Sequence, residues 1–243
     1  MHQVKVLSSE EILAEELAKE IALKINSSAN SLKPFSIALA GGSTPKLLYS
    51  VLAEKYAELI PWNFTNIFMG DERCVPFNHP ESNFGMIKKA LINKIRIPEA
   101  NIHPVKIGAE PEEAANNYSE VIDSILPRRD GMPVFDLIIL GLGEDGHTAS
   151  VFPDRPDLIN SKLTCEAVRH PQTGQCRITL TFPVINNANA VFFLVTGEKK
   201  AAMVREILNE KPGSEMLPAK YIDPVYGILV WFMDENAGRF ITP

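Results

Sequence analysis

The sequence predicts an α/β fold, a largely parallel sheet flanked by helices, on the strength of two features. Apolar stretches of strand length recur along its 243 residues, mostly unbroken rather than alternating: Phe35–Ala40, Ile67–Met69, Phe135–Leu140, Val191–Val195 and Ile228–Phe232. Helical patterns intervene at Lys46–Leu59, Glu112–Leu126 and Lys199–Leu208. Continuous apolar runs are what strands need when helices cover both faces of a sheet. Ahead of them, Ile12, Leu13, Leu17, Ile21 and Ile25 recur at helical spacing, with Ser8 or Ser9 placed to cap an amphipathic helix. No repeat, low-complexity tract or long Gly/Ser linker interrupts the chain, so residues 1–243 are read as one domain.

Charge narrows the partners. Twenty-four Lys and Arg stand against 30 Asp and Glu, a formal net charge of −6, so no global positive field exists to hold nucleic acid. A small anionic ligand would need basic residues gathered locally. Cys74, Cys165 and Cys176 form no CxxC pair, and the histidines outside the glycine-rich loops show no metal-ligand spacing. Neither a metal nor a disulfide framework is expected, and a reducing cytoplasm fits best. No leader-like apolar segment comes after Met1, and no window approaches a membrane span. The expected assembly is a monomer or weak homo-oligomer.

The most informative residues are those directly after the strands. Phe35–Ala40 runs into Gly41-Gly42-Ser43-Thr44-Pro45, and the second strand into Gly70-Asp71-Glu72-Arg73. The third runs into Gly141-Leu142-Gly143-Glu144-Asp145-Gly146-His147-Thr148, and the fourth into Gly197-Glu198-Lys199-Lys200. In an open parallel sheet such loops all emerge at the carboxyl edge, where ligands bind. Gly41–Pro45 suits a helix N-terminus offering free N–H groups to phosphate, although an ordinary capped turn has the same sequence. The GxGxxG at Gly141–Gly146 lacks the long helix that a dinucleotide site requires, because Pro153 and Pro156 cut the next segment short. Its glycines instead suit a close backbone approach to a substrate, with His147 and Asp145 alongside.

A neutral imidazole can take a proton from water, which makes His147 the candidate base, while Asp145 two residues away can orient it. A structural histidine at a strand end is the bland alternative. Arg73, Lys200, Arg169 and Arg177 supply local positive charge, either as solvated surface or as phosphate ligands. Cys74 beside Arg73 is either an activated thiolate or a buried structural thiol.

Six segments together resemble the 6-phosphogluconolactonases: ALAGGSTPKLLY at Ala38–Tyr49, MGDERCVPFNHPESNFGM at Met69–Met86, LGEDGHTASVFP at Leu142–Pro153, RITLTFPVIN at Arg177–Asn186, VTGEKKA at Val195–Ala201 and WFMDENA at Trp231–Ala237. The resemblance implies a modified Rossmann-like sheet with a small extra lobe, shared with glucosamine-6-phosphate deaminases and ribose-5-phosphate isomerases. It also implies cofactor-free hydrolysis of a sugar phosphate lactone, with His147 as general base and Asp145 its neighbour. Gly41, Gly42, Ser43 and Thr44, with Arg177 and Lys200, would cradle the phosphate, and Asp71 and Arg73 would face the sugar or phosphate. Amides of the Gly143–Gly146 loop, or Arg73, would meet the oxyanion.

Two positions depart from the pattern: Val151 replaces the usual Leu, and RHPQTGQC replaces a Lys-Pro-Pro-rich loop before Arg177. The second leaves Arg169 and Arg177 as competing phosphate partners, with Arg177 favoured because it sits in the RIT segment. A deaminase and a non-catalytic sugar-phosphate sensor are the alternatives, the former normally carrying an acidic Asn-Glu-Pro element after its histidine.

Overall fold

Seven strands make the central sheet: β1 (His2–Leu7), β2 (Phe35–Leu39), β3 (Thr65–Met69), β5 (Ile102–His103), β8 (Leu137–Leu140), β11 (Ala190–Val195) and β12 (Ile228–Asp234). A computed structural model describes residues 2–108, 110–209 and 216–241. The strand order is β1–β12–β11–β8–β2–β3–β5 and every pairing is parallel. Each residue of β2, β8 and β11 is buried, as unbroken apolar runs require. Phe193 and Trp231 stack across β11 and β12 with centroids 3.9 Å apart. Burying one such side chain is worth roughly 1.5–3 kcal/mol before entropy is charged against it.

Helices α1 (Glu10–Asn30), α2 (Ser43–Lys55), α3 (Asn83–Ala90), α4 (Pro111–Ile125), α5 (Phe182–Asn186), α6 (Ala201–Leu208) and α7 (Glu235–Gly238) connect and cover the strands. Ser9 is the cap of α1, its Oγ accepting from the Ile12 amide at 3.3 Å. Leu13, Leu17, Ile21 and Ile25 face the core as the spacing predicts, but Ile12 is half exposed and the helix runs on to Asn30.

The topology positions the site. From β2 the chain moves outward to β3, whereas from β8 it moves the other way to β11 and β12. The loops leaving the adjacent strands β2 and β8 therefore diverge, and a crevice opens at their carboxyl ends. Beside it lies a small antiparallel sheet of β4 (Asp71–Arg73), β10 (Cys176–Leu180) and β9 (Cys165–Arg169), in the order β4–β10–β9. A two-residue hairpin, β6 (Arg128–Arg129) with β7 (Met132–Pro133), completes the strands.

Glu72 fixes β4 to the rest. Its carboxylate is fully buried and accepts from the amides of Arg73, Asn83 and Phe84 at 2.7–2.8 Å and from Ser82 Oγ at 3.1 Å. Burial pushes its pKa up, and the three amide donors oppose that rise. Because it caps α3, its removal would orphan several buried donors at once. Glu72→Ala should cost about 3 kcal/mol or more in urea unfolding; a loss below about 1 kcal/mol would contradict the stapling role.

Candidate active site

The strand-end loops meet in one cleft of about 240 Å³ at the crevice between β2 and β8. Of the residues singled out from sequence, Gly41, Asp71, Arg73, Gly143, His147, Arg177 and Lys200 line it. Gly42, Ser43 and Thr44 sit immediately behind Gly41 at the start of α2, where Gly42 is the N-cap and no side chain caps the helix. Thr44 Oγ1 and Thr196 Oγ1 lie 2.8 Å apart, tying this turn to the loop after β11. The N-terminus of α2 and the segment carrying Lys200 are thereby joined.

The imidazole is held from behind. His147 Nδ1 is 2.6 Å from Asp145 Oδ1, and the His147 amide donates to the same oxygen at 3.1 Å. With Asp145 ionised, Nδ1 carries the proton and Nε2 presents its lone pair. Hydrogen bonding to His147 is the main cause holding the Asp145 carboxyl down at about 2. Gly143 is required at its position, because a Cβ there would lie 2.2 Å from His147 Nδ1 and 2.5 Å from Asp145 Oδ1. The His147 ring sits over buried Phe152, with centroids 5.0 Å apart.

Phe152 also carries the Arg177 guanidinium, 5.8 Å from its centroid, so imidazole and guanidinium share one apolar platform. Arg177 and Arg73 are directly opposed in the β4–β10 register. Among the described residues neither has a carboxylate within ion-pair distance, and the Nε of each is buried without a partner. Opposed like charges on neighbouring strands repel, and an anion beside the pair would offset that repulsion. Burial lowers the pKa of Arg177 and of Lys200.

Two placements differ from expectation. Arg169 is paired with Cys176 whereas Arg177 is paired with Val168, so strand alternation puts Arg169 on the face away from Arg177. It lines a separate surface depression and donates to Gly174 O at 3.3 Å. The amides of Gly143 and Gly146 are engaged inside their own turn, donating to His147 O at 2.8 Å and Gly143 O at 3.3 Å. Those two amides of the Gly143–Gly146 loop are therefore already occupied as donors. Neither Asp145 nor Gly146 lines the cleft; Gly146 lies beneath Leu217.

Sequence reading missed the buried residues that join the loops. Asn83 Nδ2 donates to Asp71 O at 2.9 Å and Asp71 Oδ1 at 3.1 Å, and Ser150 Oγ donates to Asp71 Oδ2 at 2.6 Å. Asn83 also explains Gly41, where a Cβ would fall 1.8 Å from its Oδ1. The only available signal was the helix-capping Ser82-Asn83, which points to a helix start and not to a site. Gln175 Oε1 accepts from Arg177 at 3.2 Å and its Nε2 donates to Glu81, steadying the guanidinium from the atypical loop. No cluster of three or more metal-binding side chains occurs among the described residues.

The family model for "Glucosamine-6-phosphate isomerases/6-phosphogluconolactonase" matches residues 8–231. A 6-phosphogluconolactonase of Synechocystis is 39% identical over 244 residues, covering 99% of either chain. The solved structure of 6-phosphogluconolactonase from Trypanosoma cruzi is similar with a TM-score of 0.90 at 30% identity, covering 100% of this chain and 98% of that one. A monomeric glucosamine-6-phosphate deaminase, 20% identical, shares the fold with a TM-score of 0.82 over 98% of this chain and 99% of its own.

The depressed Asp145 carboxyl carries a pH signature. Its folded pKa lies below the ordinary 3.8, so the stability contributed by the pair is present above about pH 4 and is lost as pH falls towards about 2. The difference in urea midpoint between wild type and Asp145→Asn should shrink as pH falls from about 4 towards about 2. A difference independent of pH would show that the carboxylate is not held by the imidazole.

Proposed function

Because the chain belongs to the glucosamine-6-phosphate isomerase/6-phosphogluconolactonase family, we propose that it hydrolyses 6-phospho-D-glucono-1,5-lactone to 6-phosphogluconate without a cofactor. The observation that carries this is an imidazole with Nδ1 anchored by Asp145, in the same cleft as Arg73, Arg177 and Lys200. Lys200, Arg177 and the uncapped α2 N-terminus at Gly42, Ser43 and Thr44 hold the phosphate. Asp71 and Arg73 meet the sugar. Arg177, rather than Arg169, is the arginine at the phosphate, since only Arg177 faces the cleft.

The chemistry rests on that placement. Nε2 of His147 takes a proton from water as the water oxygen bonds to C1 of the lactone. Arg73 is the donor available for the oxyanion that forms. The intermediate then collapses, the bond from C1 to the ring oxygen breaks, and the imidazolium returns its proton to that oxygen. A lactone is an activated ester, so positioning and one proton shuttle suffice and no covalent nucleophile is needed.

Thr148, Ala149 and Ser150 come directly after the histidine and supply none of the acidic side chains that deaminase chemistry uses there. The whole chain acts as one domain in the cytoplasm, as a monomer or weak homo-oligomer; among the described residues no helix is long and apolar enough to cross a membrane.

His147→Ala should lower kcat by about 10²–10⁴-fold, measured as loss of freshly generated lactone corrected for spontaneous opening. Unchanged turnover would remove His147 from the mechanism. In the same assay Lys200→Ala should act chiefly on KM, raising it roughly ten-fold or more; a collapse of kcat at constant KM would place Lys200 at the reacting carbon instead.

A further inference from the structure

We propose that Cys74 and Cys176 form a peroxide-oxidisable dithiol site, closing to a disulfide next to the Arg73–Arg177 pair. Both thiols are free and partly exposed, and their sulfurs lie 2.9 Å apart although 102 residues separate them in sequence. Each is adjacent in sequence to one of the opposed arginines of β4 and β10, and the Cys74 amide donates to Cys176 O at 2.9 Å. Hydrogen-bonded antiparallel partners stand about 5.5 Å apart at Cα, inside the range of about 4.4–6.8 Å that a disulfide tolerates. A spacing of that kind is compatible with a disulfide between them. Cys165, the remaining cysteine, is buried elsewhere in β9.

The two sulfurs have different parts to play. Cys74 Sγ–H donates to Cys176 Sγ, and burial together with that contact pushes the Cys74 thiol up, so Cys74 keeps its proton. Cys176 is the attacking sulfur, and it lines a depression of about 280 Å³ together with Arg155 and Arg169 through which a small hydroperoxide reaches it. The Cys176 thiolate attacks one peroxide oxygen, the O–O bond breaks, and the departing hydroxide leaves as water after taking a proton. The sulfenic acid left on Cys176 is then attacked by the Cys74 sulfur as it gives up its proton; the S–O bond breaks and a second water departs. Two thiols and one hydrogen peroxide thus become one disulfide and two waters.

Closure draws the sulfurs from 2.9 Å to about 2.05 Å, one residue from the guanidinium pair. That couples oxidation to anion binding, a consequence which rests on the phosphate assignment of Arg177 made above. Purified reduced protein is exposed to hydrogen peroxide, alkylated and digested, with kinetics measured in parallel. The expected result is a Cys74–Cys176 cross-linked peptide, reversed by dithiothreitol, with KM for the lactone shifted by about 3–10-fold and kcat within about two-fold. Cys74→Ser and Cys176→Ser should keep the kinetics of the reduced protein and lose both responses. Stepwise oxidation of a single cysteine to sulfinic or sulfonic acid, with no cross-linked peptide, would overturn the dithiol site. A cross-link that leaves KM unchanged would overturn its coupling to the arginines. The peptide readout needs no turnover, so the site stands or falls separately from the lactonase reading.

Discussion

A buried hydrogen bond, from Ser150 Oγ to Asp71 Oδ2 at 2.6 Å, ties the loop that bears the imidazole to β4, the strand that bears Arg73. The other atoms of Asp71 take both N–H groups of Asn83, whose amide oxygen packs against Gly41 at the mouth of α2. Three loops from three different strands thus take their relative positions from one carboxylate. Leaving such a buried bond unmade costs more than making it gains, since each orphaned partner costs about 1–3 kcal/mol. Glu72, next in sequence, secures the same strand from the opposite face by capping α3.

Against this well-satisfied frame the cations stand out. Every acceptor of Asp71 and Glu72 that shapes the loops finds a donor, and Asp145 is matched by His147. Arg73 and Arg177 face each other with a buried Nε apiece unpartnered. Like charges opposed in this way lower the stability of the free protein, and a bound anion beside them would offset that repulsion.

How much of this was legible depends on the range of each interaction. Unbroken apolar runs betray strands covered on both faces, so β2, β3, β8, β11 and β12 could be read directly. Strands β4 and β5 are only three and two residues long, β9 and β10 are only partly buried, and β1 is a sheet edge, so none left a comparable run. The Asp145–His147 contact spans two residues and its spacing is visible in the sequence. The Asp71–Ser150 bond and the Cys74–Cys176 contact span 79 and 102 residues, and only the pairing of β4 with β10 and the closing of the crevice create them. Arg169 and Arg177 look equivalent as residue types, and only the period of two along paired strands separates them.

The proposed activity requires one molecule to be held by its phosphate at Lys200 and Arg177 and by its acyl carbon at the imidazole. A crystal structure with 6-phosphogluconate bound tests it most directly. The expected density has phosphate oxygens on Lys200 and Arg177 and the C1 carboxylate within about 3 Å of His147 Nε2. A product molecule lying reversed in the cleft, or seated in the depression beside Arg169, would contradict it.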